Sequence, residues 1–320
     1  MTDSLALAPE RDQRDQARAL ADQVVGRIGE IILGKDQQIR LALTCLLARG
    51  HLLIEDVPGV GKTLLARSIA IALDLDYRRI QFTSDMLPAD IIGVSVFNQQ
   101  QSSFHFHPGP LFAELVLADE VNRATPKAQS ALLEGMEEQQ VTVDGSTYEL
   151  PKPFFVIATQ NPLNQIGTYP LPESQLDRFL MRIGLGYPDE TLERELLVGE
   201  DRRILLERLK PAVDKNDVIT MQNAAHGVHV SSAILDYVQA LVRFTRETSG
   251  IELGLSPRGA QDLIHAAKCW AMISGHAGVH PEDVKTVFPA VSNHRLRTDS
   301  GALDTTPDLA EFILESVPVP

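Results

Sequence analysis

Between an apolar run at residues 51–54 and a helix beginning at Leu64, the chain reads Asp56-Val57-Pro58-Gly59-Val60-Gly61-Lys62-Thr63. Strand, glycine-rich turn, Lys-Thr and helix form the order that a phosphate-binding loop requires. Its backbone N–H groups wrap phosphate oxygens, and the helix that follows turns its positive end toward the negative charge. In such a loop Pro58, Gly59, Val60, Gly61 and Leu64 surround the phosphates, Lys62 reaches the β and γ phosphates, and the Thr63 hydroxyl is offered to Mg2+. One position departs from the common pattern: Asp56 stands where the first glycine usually is, at the base of the loop and away from phosphate.

A second apolar run, Leu115-Val116-Leu117-Ala118, ends in the adjacent carboxylates Asp119 and Glu120. Downstream of a phosphate loop, that pair suits a division of labour in which Asp119 holds Mg2+ through water and Glu120 polarises the attacking water. The strand expected at residues 154–158 runs into Thr159-Gln160-Asn161-Pro162, which brings Asn161 to the same sheet edge, where it can sense the γ-phosphate. An isolated Asn-Pro pair is equally compatible with a plain turn. No Asn-Lys-x-Asp sequence for reading guanine occurs, which leaves ATP as the expected nucleotide.

Loops of this kind need a sheet to hold them. Apolar residues at helical spacing over 17–32, stopping at Gly34, and over 39–47 predict two helices; short apolar runs at 51–54, 77–82, 115–118, 154–158 and 182–185 then alternate with helical patterns. That alternation predicts a parallel sheet covered on both faces. Two segments interrupt it as β-hairpins: residues 94–106, around a Gln/Ser turn, and residues 141–150, around Asp144-Gly145. After Gly186-Tyr187-Pro188 amphipathic helices take over, at 192–209, 231–245, 256–273 and 281–291. The expected fold is therefore α/β, with residues 1–188 forming a parallel sheet between helices with two inserted hairpins, and residues 189–320 forming a smaller all-α domain.

Composition narrows the function. The chain has 320 residues, 44% of them apolar, and a formal net charge of −14. That charge opposes extensive phosphate-backbone contact, so nucleic acid is disfavoured as the main partner. Cys45 and Cys269 stand apart with no Cys-x-x-Cys or Cys/His pattern, and are expected to be buried free thiols. No run is long and apolar enough to span a membrane, and the N-terminus lacks the basic-then-apolar order of a signal peptide, so the expected location is the cytoplasm. His105 and His107 alternate with Phe104 and Phe106, placing both imidazoles on one strand face, as a metal pair or as a solvated hairpin surface.

Gly109-Pro110-Leu111-Phe112, the stretch LADEVNRATPKAQSALLEGMEE, then ATQNP and LDRF closely resemble the MoxR family of AAA+ ATPases. The resemblance runs from Gly34-Lys35 to Ser256-Pro257-Arg258-Gly259 and implies an AAA+ P-loop core with a helical lid, binding ATP and Mg2+. By that resemblance Asn161 is the first sensor, Arg178 the arginine finger and Arg258 the second sensor, while Leu33 and Gly34 flank the adenine. It also implies a homo-oligomeric, hexameric ring that remodels or activates protein clients, including metal-cofactor insertion, with a von Willebrand factor A domain protein as partner. An arginine finger works by neutralising charge that grows on the transferring phosphoryl group, and a neighbouring subunit commonly supplies it. Without the resemblance, the plainer alternatives are a surface ion pair of Arg178 with Asp177 or Glu173, and Arg258 as a helix-start residue. Arg123, beside Asp119-Glu120, is a second candidate to face a neighbour. A nucleic-acid motor and a small-molecule kinase are the alternatives; the acidic balance opposes the first, and the hairpins and finger are superfluous to the second.

Overall fold

The computed structural model describes residues 11–161, 168–298 and 309–319. The N-terminal residues 1–10, Pro162 of the Asn161-Pro162 pair and the terminal Pro320 lie outside them. In chain order the first elements are α1 (Arg11–Gly29), α2 (Asp36–Leu47), β1 (Leu52–Glu55), α3 (Lys62–Ala72), β2 (Tyr77–Gln81), α4 (Pro88–Ile92), β3 (Gly93–Asn98) and β4 (Ser103–Pro108). Next come β5 (Leu115–Asp119), α5 (Pro126–Glu138), β6 (Gln140–Val143), β7 (Ser146–Glu149), β8 (Phe155–Gln160), α6 (Glu173–Leu176) and β9 (Met181–Ile183). The remainder is α7 (Glu190–Val198), α8 (Arg202–Arg208), α9 (Lys215–His226), α10 (Ser232–Glu247), β10 (Ile251–Leu253), α11 (Pro257–Ser274), α12 (Pro281–Ser292), β11 (Arg297–Thr298) and α13 (Leu309–Ser316).

Five strands form one parallel sheet in the order β2-β5-β8-β1-β9. Its middle strands are apolar up to their carboxyl ends because they serve two layers at once. From β5, Leu115 and Leu117 enter the layer covered by α1, α2 and α3, while Val116 and Ala118 enter the layer covered by α4 and α5. β8 divides the same way, with Phe155 and Ile157 on one side and Val156 and Ala158 on the other. Parallel pairing brings the carboxyl ends of the strands to one edge, where Gln81 is level with Asp119 and Glu55 with Gln160. Ligands of open parallel sheets sit beyond that edge.

The two hairpins form as expected, β3 with β4 and β6 with β7, and Asp144 and Gly145 both adopt positive φ in the second turn. They touch each other, with Phe106 of β4 stacked on Tyr148 of β7 at a centroid distance of 4.1 Å.

The helical part differs from expectation in two places. Residues 192–209 are two helices, because Gly199 ends α7 and the Asp201 carboxylate caps α8 by accepting the Arg203 N–H at 2.8 Å. It is also not purely helical: β10 and β11 pair antiparallel after a turn at Gly250, whose φ is 94°. A three-residue strand is too short to show a period of its own. Helices α9 and α11 pack on α1, and the buried cluster beneath the sheet continues into them through Met221, Ala225, Leu263 and Ala267. Cys45 and Cys269 are both buried free thiols. Among the described residues no helix is long and apolar enough to cross a membrane.

Candidate functional site

The phosphate loop connects β1 to α3 at the carboxyl edge of the sheet. Gly59 and Gly61 have φ of 90° and 100°, a region in which a side chain is strained, so the loop needs glycine at these two positions. Gly61 caps α3, and the first turn of that helix carries Lys62 and Thr63. Lys62 is folded back into the loop: Nζ donates to the carbonyls of Asp56 and Val57, the latter at 3.3 Å, and to Asn161 Oδ1 at 3.2 Å. Burial lowers its pKa, and the carboxylates of Asp56, Asp119 and Glu120 pull it back up.

Asp119 ends β5 and is 6% exposed. Its Oδ1 accepts the Thr159 hydroxyl at 2.5 Å, and its Oδ2 accepts Arg79 Nη2 at 2.6 Å and Nε at 3.0 Å. Glu120 follows in a left-handed conformation, φ 57° and ψ 48°, which costs a non-glycine residue about 1–2 kcal/mol. Thr159 holds it there by accepting the Glu120 N–H at 2.9 Å. The Glu120 carboxylate accepts from Asn161 Nδ2 at 3.3 Å on one oxygen, and from Gln81 Nε2 at 3.1 Å and Arg123 Nη1 at 2.9 Å on the other.

These groups open onto one cavity of about 800 Å3. Pro58, Gly59, Gly61, Lys62, Thr63 and Leu64 line it from the loop, with Asp119, Glu120 and Asn161 opposite. Helices α7 and α8 close its far side through Leu196, Arg202, Arg203 and Leu206. Of the loop residues named from sequence, Val60 is not part of the lining, and neither are Leu33 and Gly34, which precede α2. Gly34 instead packs against Leu192 of α7.

Arg178 and Arg258 stand outside the cavity, and together. Arg178 follows α6 on the way into the edge strand β9, and its Nη2 meets Glu137 Oε2 of α5 at 2.9 Å. Arg258, in the first turn of α11, bonds the other oxygen of the same carboxylate. The two guanidiniums lower the pKa of Glu137, chiefly through the Arg258 bond, and the Glu137 carboxylate in turn raises that of Arg258. Arg178 therefore pairs with neither Asp177 nor Glu173, as its surface reading had it. Asp177 is engaged by Arg295 Nε at 2.7 Å, and Glu173 by Arg297 Nη1 at 2.6 Å. Arg123, named as a second candidate to face a neighbour, has its guanidinium on Glu120 of its own chain.

Sequence reasoning missed Arg79, Gln81 and Glu137. The first two are adjacent outward positions of β2, the strand paired with β5, and that placement was the available signal. As for metal, His105 bonds Ser103 at 3.1 Å; the His/Cys/Asp/Glu group close enough to share an ion among the described residues is His276, His280 and Asp283, far from the hairpin in sequence. Thr63 and Asp119, with hard oxygen donors facing one cavity, have the chemistry that suits Mg2+.

A glycine loop, a lysine and paired carboxylates at the carboxyl edge of a parallel sheet define a P-loop nucleotide site. Residues 51–181 match the ATPase family associated with various cellular activities (AAA), and residues 243–313 match an AAA lid domain. Chaperone MoxR1 of Mycobacterium tuberculosis is 39% identical over 311 residues, covering 93% of this chain and 82% of the relative. Protein MoxR of Methylorubrum extorquens is 32% identical across 92% of this chain and 93% of its own. The uncharacterized YeaC of Bacillus subtilis is 44% identical across 88% of each. A crystal structure from Cytophaga hutchinsonii, carrying a provisional ATPase name, superposes with a TM-score of 0.86 at 38% identity, covering 97% of both chains. The chain belongs to the MoxR family of AAA+ ATPases.

Proposed function

We propose that this chain hydrolyses ATP within a homo-oligomeric ring and uses the resulting movements to remodel or activate protein partners. The observation that carries this reading is the separation of the charged groups: Lys62, Asp119, Glu120 and Asn161 share one cavity, while Arg178 and Arg258 are paired outside it on Glu137. Groups arranged so are suited to serve the site of a neighbouring copy. In this reading residues 1–188 are the ATPase core and residues 189–320 the lid, the ring is hexameric, and it works in the cytoplasm.

In the proposed site the loop amides and Lys62 bind and orient the β and γ phosphates, replacing the carbonyls that now hold the lysine. Mg2+, when bound, neutralises charge on the phosphate oxygens; Thr63 and Asp119 are the residues to hold it. Glu120 accepts the proton of the attacking water. Gln81 and Arg123 share one of its oxygens and Asn161 alone bonds the other, which leaves that second oxygen able to accept from the water as well. Asn161 contacts Lys62 and Glu120 at once, which suits it to report the γ-phosphate to the base.

The client side rests on two supports: one relative is named a chaperone, and the first hairpin projects aromatic surface, with Phe97 and Phe104 exposed near its end. A separate von Willebrand factor A domain protein, and maturation of a metal-containing complex, are the partner and outcome proposed from the resemblance. The test of the enzymatic part is direct. Lys62→Ala should lose ATP binding, whereas Glu120→Gln should bind ATP and fail to turn it over. Equal ATP affinity of Lys62→Ala and wild type would refute the site.

A further inference from the structure

Asp56 occupies the base of the phosphate loop, where the common sequence has glycine, yet nothing in the backbone asks for glycine there. Within residues 56–63, positive φ occurs at Gly59 and Gly61. The Asp56 side chain instead joins two parts of the molecule. Its Oδ1 accepts the Val57 N–H at 2.7 Å, inside the loop. Its Oδ2 accepts two successive N–H groups of the segment between β9 and α7, Leu185 at 2.7 Å and Gly186 at 2.6 Å. Charge-assisted bonds of this length are among the stronger ones in proteins. Without the carboxylate these amides would need another acceptor.

Residues just before α2 hold the same segment and the start of α7 that follows it. Lys35 Nζ donates to the Tyr187 carbonyl at 2.9 Å, and Gly34 lies so close to Leu192 that a Cβ would fall 2.1 Å from Leu192 Cδ1. Beyond it, α7 and α8 carry the residues that close the cavity. The loop lysine also bears on Asp56, because Lys62 Nζ donates to the Asp56 carbonyl. Anything that draws Lys62 onto a phosphate removes a partner from the residue that holds the segment.

We infer that Asp56 is a positioning residue whose carboxylate ties the phosphate loop to the hinge that carries α7 and α8, so that nucleotide in the loop is felt at the cover of the cavity. The coupling rests on the nucleotide-site reading above; the tie itself does not.

The experiment is hydrogen exchange on the full chain, for wild type, Asp56→Gly and Asp56→Ala, first without nucleotide and then with ATPγS and Mg2+. Glycine is the residue common loops carry here, and alanine serves should the glycine variant fail to fold. Without nucleotide, exchange at residues 185–186 should accelerate about tenfold or more in the variants. Unchanged exchange overturns the tie. With ATPγS, wild type should respond both at 58–64 and at 185–192, and the variants at 58–64 alone. A response at 185–192 that survives in the variants overturns the coupling. No response at 58–64 in wild type overturns the nucleotide site and the coupling with it, while the nucleotide-free comparison still decides the tie.

Discussion

Lowering the pH should destabilise this protein through His51. The residue precedes β1 and is 5% exposed. Its Nδ1 accepts the Val156 N–H of β8 at 3.0 Å, so Nε2 carries the hydrogen and donates to the Met136 carbonyl of α5 at 3.2 Å. The neutral ring thus uses both nitrogens to join the sheet to α5. A second proton would point Nδ1–H at another N–H and place a charge beside Phe154 and Phe155. Burial accordingly lowers the pKa from 6.5 to about 4. Between those values the unfolded chain binds the extra proton and the folded chain does not, so the contribution is complete above pH 6.5 and is lost as pH falls toward 4. Those two pKa values correspond to a loss of about 2 kcal/mol at pH 5 and about 3 kcal/mol at pH 4. The assay is urea unfolding at pH 7.5 and pH 5, with wild type beside His51→Gln, whose amide offers an acceptor and a donor but does not titrate. His294, also buried with a lowered pKa, acts in the same direction in both proteins and cancels. Wild type should lose about 2 kcal/mol more than His51→Gln between the two pH values. Equal losses refute the assignment of a neutral, structural His51.

Arg79 and a metal cation compete for Asp119, so Arg79→Gln should tighten Mg2+ binding in calorimetry by about fivefold and lower stability by about 1 kcal/mol, a figure discounted because Arg79 is 48% exposed. Weaker Mg2+ binding in that variant would contradict the competition. Trimming the β3–β4 hairpin to remove Phe97 and Phe104 should leave circular dichroism and basal ATPase close to wild type, because Phe106, stacked on Tyr148, stays in place. Stimulation by a protein client should fall; a trimmed protein that unfolds would make the hairpin structural.

What could be read from the sequence followed its physical density. β1, β5 and β8 are legible because each feeds two apolar layers and is apolar up to its carboxyl end, and Asp119 and Glu120 are legible because they close such a run together. β2 is an edge strand reading Tyr-Arg-Arg-Ile-Gln, in which Ile80 alone is buried, so Arg79 and Gln81 look like ordinary surface until the pairing with β5 puts them on the two carboxylates. The pairing of Arg178 and Arg258 on Glu137 joins three distant stretches, and no local pattern encodes it. The break between α7 and α8 was written locally, in Gly199 and Asp201, but the apolar period continues across it. The role of Asp56 is written in no local pattern, because the amides its carboxylate holds, Leu185 and Gly186, lie far along the chain.

Whether Arg178 serves the nucleotide of its own chain or of a neighbour separates a self-contained enzyme from an assembled one, and mixing two inactive variants decides it. Arg178→Ala keeps its own Lys62, Asp119 and Glu120 but has no finger to lend; Glu120→Gln is dead at its own site and still carries Arg178. Each alone should lose activity on the order of 10³-fold. Rings containing both, verified by copurification through two different tags, should regain ATPase at each interface where an Arg178→Ala site faces a Glu120→Gln neighbour. Verified mixed rings that stay as inactive as the pure variants, or a wild-type monomer with full activity, would contradict a site shared between subunits.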